Sequence, residues 1–116
     1  MAYVDGVVFA VPTSNQQKYI DHSSQMADIF KKNGAIRVVD CWGDEVPAGE
    51  VTSFPMAVKC GEDETVCFSW IEWPSKEARN EGMAKSMEDM RSSEAMEMPF
   101  DGKRMIFGGF ETLFSV

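Results

Sequence analysis

The sequence predicts an α+β fold built from one antiparallel sheet with two helices on one of its faces. Apolar segments of strand length are interrupted by two longer segments with helical periodicity, in the order strand, helix, strand, strand, strand, helix, strand. This order corresponds to a β-α-β-β-α-β split unit with one extra strand. The length of 116 residues suits one domain, which we expect to span residues 1–116.

Residues typical of strand and helix ends delimit these elements. Pro12 ends the first strand, and Thr13 or Ser14 can cap the helix that follows. Gly34 can end this helix, and Ser75 can cap the second one. The predicted strands cover 3–11, 35–42, 54–60, 65–73 and 105–114, and the predicted helices cover 15–32 and 76–91.

The extra strand is predicted at residues 54–60. Together with the strand at 65–73 it would form a hairpin, because the connection at 61–64 has a suitable length. Its other pairing partner in the sheet stays open. Residues 92–98 are also open, since they fit either the end of the second helix or a loop.

Apolar side chains occupy both faces of the predicted strands. In the first strand, for example, Val7 and Phe9 alternate with Val8 and Ala10. Because two helices in a split unit cover only one face, we expect a second copy to cover the other, which gives a homodimer with sheets packed face to face. The alternative is that the segments 43–53 and 92–100 fold over the sheet.

The composition excludes several classes of function. A formal net charge of -8 disfavours binding to nucleic acid and to anionic membranes. Cys41, Cys60 and Cys67 lack metal-ligand spacing and indicate free thiols in a reducing compartment. With a single histidine and no phosphate-binding loop, we expect neither a metal site nor a cofactor. Neither a signal peptide nor an apolar stretch of about 20 residues is visible, so we expect a cytoplasmic protein.

Charged residues that interrupt the apolar strands are the first candidates for a site. They are Asp5, Arg37, Asp40, Glu72 and Glu111. Since a buried charge is unfavourable unless it is paired, such residues can form a polar cluster in a cavity, where a carboxylate can act as a general base. The alternative is that they form ion pairs that fix the strand register or the dimer.

We expect a cavity between the sheet and the helices. The candidate catalytic residues are Asp5, Arg37, Glu72 and His22, and the candidate ligand-binding residues are Trp42, Trp70 and Arg104. A carboxylate would act as the base and Arg37 as the partner of an anion or oxyanion. His22 fits either a haem ligand or proton shuttle, or a boundary residue bonded to backbone or water. The tryptophans fit either ligand stacking or core packing, and Arg104 fits either an anion site or a solvated turn.

Four segments of the chain resemble a known family. They are YVDG at 3–6, IRVVDCW at 36–42, FSWIEWPSK at 68–76 and MPFDGKRMIFGGFE at 98–111. These segments are similar to the YbaA-like family of small bacterial proteins, a domain of unknown function. The resemblance implies a ferredoxin-like fold in the dimeric α+β barrel superfamily. That superfamily contains cofactor-independent monooxygenases, small isomerases, haem-degrading enzymes and proteins without known activity.

The resemblance implies fold and dimer but no catalytic residues. We therefore expect a homodimeric barrel that binds a small molecule, and a cofactor-independent enzyme of the monooxygenase or isomerase type is one form of this function. The alternative is a non-enzymatic dimeric structural or accessory protein without a ligand pocket. The sequence leaves open whether the protein is an enzyme.

Overall fold

The computed structural model describes residues 2–92 and 98–116. In chain order, the strands and helices are β1 (Tyr3–Pro12), α1 (Gln16–Lys32), β2 (Arg37–Trp42), α2 (Phe54–Ala57), β3 (Glu64–Trp73), α3 (Lys76–Arg91) and β4 (Ile106–Glu111). Short 3-10 turns at Thr13–Asn15 and Gly102–Arg104 precede α1 and β4. Within this part of the chain, no helix combines the length and the apolar character needed to cross a membrane.

The strands form one antiparallel sheet in the order β2-β3-β1-β4. β1 lies in the middle and pairs with β3 from Tyr3 to Pro12, which explains why it is the most apolar strand. α1 and α3 pack beside each other, and both contact the sheet. This arrangement confirms the predicted α+β split unit of β1, α1, β2, β3, α3 and β4.

The predicted extra strand is wrong, because residues 54–57 form the short helix α2. The side chain of Ser53 caps this helix and accepts a hydrogen bond from the amide of Met56 at 3.1 Å. Pro55 lies in the first turn, where its missing N–H is tolerated, whereas it would remove a hydrogen bond from a strand. Within the described ranges 2–92 and 98–116, the sheet consequently has four strands, and β3 has no hairpin partner at 54–60.

Three of the four ends of α1 and α3 lie where the sequence predicts them. Ser75 caps α3 by accepting a hydrogen bond from Ala78 N at 3.1 Å, and α3 ends at Arg91 as predicted. Gly34 has a φ of 109°, which suits glycine and ends α1. The start of α1 differs, because Thr13 bonds to Thr65 Oγ1 at 2.8 Å and α1 begins only at Gln16. The open segment 92–98 lies largely outside the described residues.

The main core lies between the sheet and the two long helices. Trp73 is completely buried there, with Tyr3 and Ile71 from the sheet and Phe30 from α1 around it. Gly82 of α3 lies against the Trp73 ring, where a Cβ atom would overlap the ring and the carbonyl oxygen of Asn33. The absence of a side chain at Gly82 therefore sets the distance between α3 and the sheet.

The opposite face of the sheet is covered at one end only. Val46 and Val58 from the 43–60 connection pack on Val8 and Ala10 at that end. The remainder, which we call the open face, stays largely uncovered, although Phe54 of α2 meets Phe68 edge-on with ring centroids 6.1 Å apart. Its residues are Val4, Gly6, Phe68, Trp70, Glu72, Ile106, Gly108 and Phe110. The connection thus covers part of the sheet, as the alternative interpretation expected, but leaves an apolar surface exposed.

Candidate functional site

A pocket of about 340 Å³ lies between α1 and the edge strand β2. Asp40 and Trp42 are two residues apart on β2, so both side chains point to the same face of the sheet. Tyr19 and Ser23 are four residues apart on α1 and therefore lie on one side of that helix. The residues that line this α1–β2 pocket are Gln16, Tyr19, Ile20, Ser23, Ser24, Ala27, Asp40 and Trp42.

A hydrogen bond between Tyr19 and Asp40 joins the two walls of the pocket. The Tyr19 hydroxyl donates to Asp40 Oδ1 at 2.7 Å, and the tyrosine is buried. Burial raises the pKa of Tyr19 well above its usual 10.0, and the hydrogen bond and charge of Asp40 raise it further. The phenol therefore stays protonated at neutral pH and holds the carboxylate in a fixed orientation.

The Asp40 carboxylate is available to a ligand. The residue is exposed, and among the described residues its Oδ2 atom accepts no hydrogen bond and its carboxylate forms no ion pair. A carboxylate of this kind can accept a hydrogen bond or a proton from a molecule in the pocket.

Aromatic rings fix the position of Tyr19. The ring centroid of Tyr19 lies 5.6 Å from that of Phe9 and 6.1 Å from that of Trp42. Phe100 stacks on Phe9 at 4.6 Å and meets Tyr19 edge-on at 6.4 Å. Since such contacts add to the burial of the rings, they keep the phenol rigid at the base of the pocket.

His22 lies on α1 next to this site. Its ring meets Phe100 edge-on at 6.4 Å, and the residue is half-buried. Burial lowers the pKa of His22 below its usual 6.5, and the charge of Asp40 partly opposes this effect. His22 is therefore neutral at pH 7 and supplies no positive charge to Asp40.

The seven predicted site residues do not line one cavity, and this expectation is wrong. Asp5, His22 and Trp42 lie on the side of the helices, whereas Arg37, Trp70 and Glu72 lie on the other side of the sheet. The reason is the register, which places Asp5 opposite Ile71 and therefore out of phase with Glu72. Arg104 lies apart from both groups.

Asp5 is engaged in a buried ion pair. Its carboxylate accepts from Arg79 Nη2 at 2.8 Å and from Trp73 Nε1 at 3.0 Å. The guanidinium of Arg79 also lies over the ring of Tyr3, 5.1 Å from its centroid. This arrangement ties β1 to α3, which corresponds to the structural interpretation of the strand charges.

Glu72 and Arg37 lie on the open face of the sheet. They are direct neighbours across β2 and β3, yet they form no ion pair there. Glu72 instead accepts a hydrogen bond from Trp70 Nε1 at 3.3 Å. Neither residue is in contact with the α1–β2 pocket.

Arg104 uses its hydrogen-bond donors within the protein. Two parallel hydrogen bonds of 2.7 and 2.6 Å join it to Glu64, and Asp101 and the carbonyl of Lys59 accept two more. The bond from Arg104, followed by that from the amide of Gly61, lowers the pKa of Glu64 from its usual 4.5 to about 2. The geometry resembles an internal clamp that joins the start of β3 to the turn before β4.

The open face carries a second, larger concavity of about 710 Å³. Gly6 and Gly108 are register partners, and the missing side chains at both positions create its floor. The ring of Phe110 lies beside Gly6, 3.4 Å from where a Cβ atom would be. Apart from Glu72 at one edge, the lining is apolar.

The structure also locates the thiols and the potential metal ligands. Cys41 is exposed, Cys60 is half-buried and Cys67 is buried, and all three are free. Burial raises the pKa of Cys67 to about 12, so this thiol is not a nucleophile at neutral pH. Within residues 2–92 and 98–116, no three His, Cys, Asp or Glu side chains come together as a metal site.

Sequence reasoning missed the central pair of the pocket. Asp40 is among the strand charges but not among the candidate site residues, and Tyr19 is not a candidate at all. A signal was available, because Asp40 shares strand parity with Trp42 and so with the face that the helices cover. The distance between Tyr19 and Asp40 was not accessible, since it depends on the packing of α1 against β2.

Comparison with known proteins places the chain in a family. The family described as "Protein of unknown function (DUF1428)" matches residues 2–102. The chain belongs to the DUF1428 family. The "Uncharacterized protein YbaA" of Escherichia coli (strain K12) is 54% identical over 114 residues, which are 97% of each chain, and that of Shigella flexneri matches equally well. The YbaA-like resemblance is thereby confirmed for this DUF1428 protein.

A solved structure shares the fold of this family member. A variant of SnoaB, a cofactor-independent oxygenase from Streptomyces nogalater, superposes with a TM-score of 0.59 and 11% identity. The superposition covers 99% of this chain and 96% of the other. The predicted ferredoxin-like α+β fold is confirmed, and at this identity the likeness concerns the fold alone.

Proposed function

We propose that this DUF1428 protein is a homodimer that binds a small molecule in the α1–β2 pocket of each protomer. The observation that carries the proposal is the difference between the two faces of the sheet. One face contributes a pocket with an oriented carboxylate, and the other presents an apolar concavity. Dimerisation and ligand binding can therefore use separate surfaces.

The open face supports the homodimer. Phe110 is 60% exposed, and Phe68 and Ile106 beside it are also exposed. Contiguous apolar patches larger than a few hundred Å² are rare on monomers and mark interfaces. Residues 113–116 add exposed apolar side chains next to β4, including Leu113 and Phe114. Because the same chain offers an apolar hollow and unpaired apolar side chains, a second copy is the occupant that fits both.

The α1–β2 pocket supports the small-molecule function. A volume of about 340 Å³ lies at the lower end of the range of ligand pockets, roughly 300–1,000 Å³, and thus suits a small ligand. Its lining combines apolar and aromatic side chains with a few polar groups, as binding pockets usually do.

A cofactor-independent enzyme is one form of this function. Asp40 is then the general base, because it lines the pocket and Tyr19 fixes its position through Oδ1 alone. The oxygenase SnoaB supports this form to the extent that its fold is shared. In the alternative form the protein is a non-enzymatic dimeric structural or accessory protein that binds no ligand.

The proposed dimer contains one domain per chain, covering residues 1–116, and acts in the cytoplasm. The free cysteines support this location, because exposed thiols such as Cys41 persist in reducing compartments.

Ligand binding is tested by nuclear magnetic resonance with the isotope-labelled full chain and a library of small compounds of mixed charge. We expect at least one compound to shift the amide signals of Ser23 and Asp40 and the indole signal of Trp42. A Trp42→Ala variant should weaken the shifts of the Ser23 and Asp40 amides, while a Trp70→Ala variant on the open face should retain all three shifts. A library that moves none of these signals would contradict ligand binding and favour the structural alternative.

A further inference from the structure

We propose that the α1–β2 pocket selects organic cations, in particular a primary or secondary amine attached to an apolar or aromatic group. This inference rests on the proposed small-molecule function and names the ligand class of the same site. It follows from the charge of the pocket, the geometry of its carboxylate and the nature of the surrounding side chains.

The carboxylate of Asp40 is an oriented hydrogen-bond acceptor. Tyr19 donates to Oδ1 at 2.7 Å, which leaves Oδ2 to accept from a ligand. Hydrogen bonds between a protonated amine and a carboxylate are about twice as strong as those between neutral groups. Since the acceptor is already held in place by a buried phenol, little conformational freedom is lost when the ligand binds.

The charge of the pocket is not balanced by the protein. Among the described residues, Asp40 is the charged one that lines the pocket, and no lysine or arginine does so. The nearby His22 is neutral at pH 7 because its burial lowers its pKa. A ligand that brings a positive charge therefore supplies the missing partner, whereas an anion would meet an unpaired carboxylate.

The remaining lining suits the rest of such a ligand. The rings of Tyr19 and Trp42 lie 6.1 Å apart, and aromatic faces attract amines and guanidinium groups. Ile20 and Ala27 provide an apolar wall for a hydrocarbon part. The net charge of -8 further attracts cations to the protein and repels anions.

The ligand class is tested with three compounds of nearly equal shape, 2-phenylethylamine, 2-phenylethanol and phenylacetate, titrated into the full-length protein at pH 7. We expect the amine to bind at least about tenfold more tightly than the alcohol, and phenylacetate to bind more weakly still. Equal affinities for amine and alcohol, or a preference for phenylacetate, would overturn the inference. This comparison uses the unaltered protein and does not depend on the folding of any variant.

Matched variants assign the selectivity to Asp40. Asp40→Asn should reduce the affinity for the amine about tenfold and change that for the alcohol by less than about twofold. Asp28→Asn removes the same charge from an exposed position of α1 outside the pocket, and it should leave both affinities unchanged. If Asp28→Asn has the same effect as Asp40→Asn, the preference is due to overall charge and the site assignment fails.

A failure of the cation preference can be distinguished from a failure of ligand binding. Shifts of Ser23 and Trp42 signals with neutral or anionic compounds, but not with the amine, would overturn the cation class and retain ligand binding. The absence of shifts with all three compounds and with the mixed library would overturn both.

Discussion

At the scale of single residues, the charge of Asp40 acts to raise the pKa values of Tyr19 and His22. The single histidine of the chain, His22, reports on this charge because its signals need no assignment among others. Burial lowers the pKa of His22, and Asp40 raises it by a smaller amount. The balance of these two effects is what a titration of the imidazole can measure.

We predict that His22 titrates below pH 6.5 in the wild-type protein and at a still lower pH in Asp40→Asn. The sign follows because a negative charge favours the imidazolium, so its removal leaves the desolvation by burial unopposed. The measurement is the pH dependence of the imidazole carbon and proton shifts. Asp28→Asn serves as the control and should leave the titration unchanged. A pKa above 6.5, or an increase in Asp40→Asn, would refute this account of the pocket.

At the scale of secondary-structure elements, α3 approaches the sheet through Gly82. A methyl group there would overlap the Trp73 ring, which is completely buried, and the backbone carbonyl oxygen of Asn33. Glycine inside a helix is otherwise unfavourable by about 1 kcal/mol relative to alanine. The position of Gly82 is therefore explained by packing.

We predict that Gly82→Ala destabilises the protein by about 1–3 kcal/mol, since overpacking outweighs the gain in helix propensity. The measurement is the free energy of unfolding in urea. Ala84→Gly, at an exposed position of the same helix, calibrates the propensity and should destabilise by about 1 kcal/mol. A Gly82→Ala protein more stable than the wild type would show that α3 is not held at this distance by packing.

Most strands and helices could be predicted from the sequence, because the spacing of their apolar residues and the positions of their capping residues agree with the packing in the structure. The strand β3 and the helix α3 follow from this pattern, including the cap at Ser75. The strand predicted at 54–60 rested on the hairpin spacing of the 61–64 connection, whereas Ser53 and Pro55 form the start of a helix. An ion pair was one of the two interpretations of Asp5, but its partner Arg79 could not be predicted, because helix-to-strand packing decides which charges meet.

At the scale of the whole molecule, the two faces of the sheet have different chemical character. The helices bury Trp73 and Tyr19 on one face and leave the α1–β2 pocket at its edge. On the other face, the 43–60 connection covers one end and leaves Phe68 and Phe110 exposed. The two-sided apolar pattern of the strands predicted this surface, whereas the extent of the partial cover depended on the path of a loop.

Because the open face is apolar, a charged substitution there should disrupt the proposed dimer. Phe110→Glu places a charge on this apolar face and should separate the protomers, because an unpaired charge is unfavourable in a buried interface. Met87→Glu places the same charge at an exposed apolar residue of α3 on the opposite side, and it serves as the matched control.

Sedimentation equilibrium of the wild-type protein and these two variants at micromolar concentration measures whether the open face binds a second copy of the chain. We predict a mass of twice 13.0 kDa for the wild type and for Met87→Glu, and a mass of 13.0 kDa for a folded Phe110→Glu. A wild-type mass of 13.0 kDa, or a Phe110→Glu protein that stays dimeric, would contradict the assignment of the open face to a second copy of the chain.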